Sequence, residues 1–545
     1  MLSSKLSLLA LLLVLGFVGV PLKFFAQCDS DCPSSNTFVG TNAGAVNDNT
    51  VGVGNTFVGQ SAGPTNTTGQ RNTFVGQNAG TFNTTGSYNS FFGEDAGYSN
   101  DSSSYNTMVG RAAGFDNTGG ESNCYFGYLS GSSGVLSSYN SFYGTESGFS
   151  NLSFENSFYG YRSGYTNSTG SANSFYGANS GNNNTVGHSN SFFGASSGYS
   201  NTTGTSNSFF GDRSGLNNTT GGSNAFYGSM SGEQNLTGNS NSFYGFLSGQ
   251  SNRIASGNSF FGSEAGKTNR GNFNSFFGAR SGVINTTGIR NSFFGYGSGS
   301  NNETGKDNTY FGYEAGGESV FGDENSFFGS HVAGNTMGGN QNSFFGFAAG
   351  WNSSGRMNTA IGHSAAGSVT SADSTICIGA GAGPQFNEAS QRLYINVGRD
   401  DDPLIYGEFD NDFVRINGTF EVTAGLTNPS SRFLKDDFTF VNADEVLEKI
   451  NALEIKEWSY KDDLTVRHVG PVAEEFYDAF HLGSGSKKIS TIDADGVALL
   501  GIQALSKEVD NLTLENAALK KLVEELSKEM VLMKQEIKKL SNQED

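Results

Sequence analysis

Ser430 and Lys435 stand five residues apart in Ser430-Ser431-Arg432-Phe433-Leu434-Lys435. A lysine kept neutral by burial can take the proton from a serine hydroxyl, and the oxygen so activated attacks a carbonyl. The serine lies at a seam between two unlike stretches of chain, so the carbonyl within reach is that of its own neighbour and the outcome is self-cleavage. The spacing alone has little force. Serine and lysine are common surface residues, and Asn428-Pro429 just ahead also reads as the start of a polar turn. The context decides between chemistry and turn.

The seam is preceded by a long repeat. A glycine closes an aromatic strand twenty-one times from Gly40, Gly59 and Gly76 to Gly379, in steps of 17 residues apart from three of 16 and a first of 19. The unit reads Asn-Ser-Phe-Phe-Gly-x-x-Ser/Ala-Gly followed by a turn such as Asn-Thr-Thr-Gly. Asn291-Ser292-Phe293-Phe294-Gly295 with Ser298-Gly299 is a clean copy. A unit this short cannot fold alone, so neighbouring units must bury its aromatic strand. The pattern predicts a mainly β fold, a parallel β-roll or β-solenoid of about 21 short repeats over 36–383. At about 4.8 Å per coil such a stack is on the order of 100 Å long. Strand side chains alternate, so Phe293 and Phe294 face opposite ways, and one of the two ring rows is left wet unless other chains cover it. The turns are rich in Asn, Ser and Thr, whereas a calcium-binding nonapeptide roll needs regular Asp. The Asn-Thr-Thr tripeptides match glycosylation acceptors and are read here as turn formers.

Composition sets outer limits. The 545 residues include 77 Gly, 46 Phe and only 7 Pro, and the net charge of −20 excludes nucleic acid as a partner. Lys5, the apolar run Leu6–Leu22 and Phe25-Ala26-Gln27 have the plan of a secretory signal peptide over 1–26, with a short segment 27–35 after it. No later segment is apolar enough to span a bilayer. The expected location is therefore outside a bacterial cell or on its surface, with no membrane anchor in the mature chain. Cys28 and Cys32 could pair with each other or between chains, while Cys124 and Cys377 occupy strand positions and are expected as buried free thiols. Neither a metal nor any other cofactor is expected.

Beyond the repeat, 384–427 reads as a β-rich connector, with strands over Arg392–Val397, Pro403–Gly407 and Phe413–Gly418. Residues 428–500 read as a small non-repetitive α+β domain whose first helix is capped by Asn442. Over 501–541, Ile502, Val509, Asn516, Val523, Met530 and Ile537 recur every seven residues beside Leu505, Leu512, Leu519, Leu526, Met533 and Leu540. This is a parallel coiled coil, whose β-branched first positions and Asn516 taken alone favour two strands.

Three blocks carry a resemblance. Ser430-x-Arg432-x-x-Lys435, then His468-Val469-Gly470-Pro471-Val472-Ala473-Glu474-Glu475-Phe476, then Ile492-Asp493-Ala494-Asp495 leading into Leu499–Leu505, are similar to the intramolecular chaperone of endosialidases and tail fibres. That family is a serine-lysine auto-peptidase, and the likeness spans about 428–526. It implies Ser430 as nucleophile on the carbonyl just before it, Lys435 as general base, and Arg432 and His468 in supporting positions. It also implies three chains rather than two. Ser431 stands where the family has an acidic residue, and Pro429 would supply the scissile carbonyl. Units such as Asn72-Thr73-Phe74-Val75-Gly76-Gln77-Asn78-Ala79-Gly80 resemble the YadA-like heads of trimeric autotransporter adhesins, with a longer period and more rings.

Together these readings describe a secreted homotrimeric fibre or adhesin-like protein. Its partner would be a host, matrix or cell-surface receptor or glycan. The alternatives are a polysaccharide-degrading tailspike-like enzyme and a structural surface filament without cleavage. Glycoside hydrolysis needs two carboxylates fixed in a cleft, and Glu94-Asp95 and Asp323-Glu324 read instead as solvated corners. The signal peptide argues against a phage particle protein, and no β-barrel is expected to hold the chain in a membrane.

Overall fold

The computed structural model describes residues 35–384, 390–398, 402–423, 429–461 and 463–541. The expected leader and the cysteines at 28 and 32 lie outside them. The chain separates into two units between Glu421 and Val422.

In the first unit, twenty-one three-residue strands from β1 (Thr37–Val39) to β21 (Ile376–Ile378) stack in parallel, as the repeat predicts. Each residue pairs with its equivalent one coil later, as in Ser191↔Ser208, Phe192↔Phe209 and Phe193↔Phe210. The middle residue of each triplet points inward, and from Phe57 to Phe344 it is fully or almost fully buried. Its ring stacks on the next, Phe209 on Phe226 at 4.8 Å and 6°. Third residues point outward as a second stacked row, Phe210 on Tyr227 at 4.7 Å.

Two glycines in most coils make this packing feasible. Gly211 has φ +136, and a Cβ there would lie 2.5 Å from the carbonyl oxygen of Gly228 in the next coil. Gly215 has φ +59, and a Cβ there would lie 2.5 Å from the ring of Phe209. The first position lets backbones approach; the second seats the core ring.

Buried asparagines close the remaining backbone groups. The Asn207 amide donates to Gly221 O at 2.8 Å, and its Oδ1 accepts the backbone N–H of Asn224 at 3.0 Å. A second column runs alongside, where Asn201 Nδ2 donates to Asn184 Oδ1 at 2.7 Å and to Gly204 O at 3.0 Å. Asn201 heads an Asn-Thr-Thr tripeptide, and its amide is buried with both hydrogens engaged. The reading as a turn former therefore holds for this tripeptide. Replacing Asn207 with Leu orphans the buried Asn224 N–H, at a cost of about 1–3 kcal/mol, and leaves Gly221 O with the Asn218 amide as its remaining donor. We expect a clear drop in the thermal midpoint of the roll, read by circular dichroism, although the substitution adds apolar volume.

The two described cysteines are free. Cys377 is a middle residue and is buried, and desolvation pushes its thiol up to about 12. Cys124 corrects the expectation of burial. It is the first residue of its triplet, so it faces outward, is only half-buried, and its Sγ lies 3.2 Å from the Tyr143 hydroxyl.

The sheet does not stop with the repeat. β22 (Arg392–Ile395) pairs in parallel with β21, setting Tyr394 opposite Cys377, and β23 (Ile405–Glu408) and β24 (Phe413–Ile416) add antiparallel strands.

The second unit is small. After a single 3-10 turn at Arg432–Leu434 come α1 (Ala443–Ala452), β25 (Lys456–Tyr460) antiparallel to β26 (Asp463–Gly470), α2 (Ala473–Phe480) and α3 (Thr491–Ser541). The Asn442 side chain accepts the Asp444 N–H and caps α1. Val446, Phe476 and Val497 form the core, with Ile450, Leu453, Phe480, Ile489 and Leu500 packed against them. Helix α3 has 51 residues and runs unbroken through 500 and 501. From Leu505 to Ser541 every residue is exposed in the single chain, the heptad leucines included.

Candidate functional site

Ser431 builds the local geometry. Its side chain accepts the Phe433 N–H at 3.3 Å and caps the 3-10 turn, which reverses the chain within a few residues. Lys435 leaves the turn with Ser430 beside it, and Lys435 Nζ lies 2.6 Å from Ser430 Oγ. That is hydrogen-bond contact between a nucleophile and a base. Both side chains are exposed in the single chain. General-base work requires the amine without its proton, and burial is the ordinary means of removing it.

Residues 430–481 match the family of the chaperone of endosialidase. No curated protein and no solved structure matches the chain. The match opens on Ser430 itself and closes on His481, whose φ of 54 ends α2 in the left-handed conformation. The roll lies outside it.

Within the matched segment the other two expected site residues make contacts of their own. The Arg432 guanidinium lies over the Phe438 ring at 5.5 Å. His468, on β26, stacks on Trp458 at 4.8 Å and meets Tyr460 edge-on at 5.4 Å. No hydrogen bond between described residues joins either to Ser430 or Lys435. The contacts they do make are packing contacts. The residues missed in the sequence are Trp458 and Tyr460, whose rings clasp the imidazole. Their i, i+2 spacing on a strand puts them on one face and was the available signal.

Elsewhere the acidic corners are tied between coils. Glu94 pairs with Arg111 at 3.2 Å and Asp323 with Lys306 at 3.8 Å, while Glu324 accepts from Gln341 at 3.0 Å. Among the described residues no three His, Cys, Asp or Glu converge as a metal site, and no helix is long and apolar enough to cross a membrane.

Proposed function

We propose that the chain is an extracellular homotrimeric fibre of the tail-fibre or adhesin kind, folded by its own C-terminal segment, which then releases itself between Pro429 and Ser430. The observation that carries this reading is the Lys435–Ser430 contact, placed at the first residue of the family match. In the proposed step Lys435 takes the Ser430 hydroxyl proton and Oγ attacks the Pro429 carbonyl. The peptide C–N bond breaks as that proton passes to the Ser430 nitrogen, and water then hydrolyses the ester on Oγ.

Three chains supply what one lacks. The outward row leaves Phe311 55 % exposed, and Leu519 on α3 is 58 % exposed. Both surfaces call for copies of the same chain. Assembly would also provide the cover that makes Lys435 a base, so cutting would follow trimerisation. A folding aid at this end has a kinetic basis. Non-local strand pairing is slow and aggregation-prone, and a helical seam raises the local concentration of three chains and sets their register. Removing the aid afterwards closes the return path. The tailspike-enzyme reading has less support, because its candidate carboxylates are engaged in the ladder contacts above.

Sedimentation of the purified chain tests the assembly. We expect a trimer, and we expect Leu519→Glu with Leu526→Glu to yield monomers or aggregates lacking the β signal of the roll. A monodisperse monomer with a folded roll would sink the reading.

A further inference from the structure

One stretch of the roll departs from the prevailing pattern. The residue after the second glycine of a coil is bulky in much of the stack, as at Tyr165, Tyr199 and Leu216. In three successive coils the position shrinks to Ser300, Gly317 and Gly334, the last following Ala333 in place of the second glycine, and Trp351 closes the gap. The result is an open groove of about 320 Å³ lined by these four residues together with Tyr296 and Glu314, among others. That volume falls in the range of small-molecule sites, and three coils give a length of about 14 Å.

The groove is built from fixed parts. A side chain at 334 would collide with the Trp351 indole, so the glycine is what seats the ring. Tyr296 stacks on Tyr313 at 5.4 Å. His331 lies 5.1 Å from Tyr313 and 6.2 Å from Trp351, ring to ring, and is held by Glu314 at 3.3 Å and Ser330 at 2.8 Å. Arg280, Asn301 and Glu318 add polar groups to the lining, and Glu318 makes no ion pair or hydrogen bond with a described residue.

We propose that this groove binds an uncharged oligosaccharide. A sugar ring presents a C–H face that packs on an aromatic ring and a rim of hydroxyls that needs donors and acceptors together. Trp351 and Tyr296 offer faces, Glu314 and Glu318 accept, and Asn301 and Arg280 donate. Two carboxylates against one guanidinium disfavour an anionic polymer, and the guanidinium disfavours a lone cation. An apolar peptide would offer no partner to the side chains of Glu318 and Asn301. The site needs only a folded roll and stands apart from the assembly and cleavage proposed above.

The test is calorimetric titration of the full chain with neutral oligosaccharides of the cello, chito and manno series. Indole fluorescence is followed in parallel in a Trp458→Phe background, which leaves Trp351 as the one remaining tryptophan of 2. At least one series is expected to bind saturably and to change the Trp351 emission, and Trp351→Ala is expected to weaken binding by about tenfold or more. Gly317→Leu is expected to abolish binding with the melting temperature unchanged. Position 317 has no positive φ, the nearest atom to a new Cβ is the Glu314 carbonyl oxygen at 3.3 Å, and Leu216 already occupies the equivalent place in another coil. The proposal is overturned if no series binds, if both Trp351→Ala and Gly317→Leu bind as the parent does, or if choline or a sialylated glycan binds where neutral sugars do not.

Discussion

Ser430→Ala is expected to leave the chain whole, where the parent yields two fragments on a denaturing gel. The loss of rate should be on the order of 10⁴-fold or more, because no other hydroxyl can replace a missing nucleophile in cis. Ser431 is the nearest rival, but its oxygen is engaged by the Phe433 N–H as the cap of the turn. Mass spectrometry of the parent's C-terminal fragment should find Ser430 as its first residue. Lys435→Ala should match Ser430→Ala. Lys435→Arg is the sharper variant, since arginine keeps the charge and a donor toward Oγ but does not give up its proton. Cutting by Lys435→Arg would mean that the 2.6 Å contact serves structure alone. If parent and all variants run as the same full-length chain, the dyad is inert.

Gly211→Ala is expected to be among the most damaging one-carbon changes in the roll. The new methyl meets a backbone carbonyl at 2.5 Å, in a conformation with φ +136 that L-residues avoid. Neither atom can swing aside, because both belong to the ladder between adjacent coils. Gly222→Ala, one coil corner away, is the control: it has no positive φ, and its Cβ would find the Thr205 carbonyl oxygen at 3.2 Å. We expect Gly211→Ala to cost several kcal/mol and to yield insoluble or uncut chain, and Gly222→Ala to behave like the parent within about 1 kcal/mol. Equal melting curves for the two would refute the close-approach account.

Much of this was legible in the residues. The spacing of glycines gave the period, and strand alternation set Phe293 and Phe294 on opposite faces without saying which was inward. Cys124 was misjudged because its place in the triplet, first rather than middle, determines its face. The asparagines were visible as turn formers. Their burial was not, since it depends on a partner 17 residues away offering a carbonyl or an amide. Ser430 and Lys435 could be singled out by type and spacing, whereas the turn that joins them depends on Ser431, which looked like a departure. Arg432 and His468 entered by resemblance, and resemblance does not report distance. The groove escaped notice because Gly317 and Gly334 look like ordinary variation until Trp351 is seen to lie across the gap.

Each coil of the roll bonds almost wholly to the coil before and the coil after, with the same kinds of asparagine and glycine fittings through most of the stack. Its length is therefore a countable quantity, and gaining or losing one 17-residue unit changes it by a single step near 4.8 Å with no other joint to refit. Duplication inside such a gene can tune reach without passing through an unfolded ancestor. A unit bearing an altered surface can likewise be copied or moved along the stack as a module.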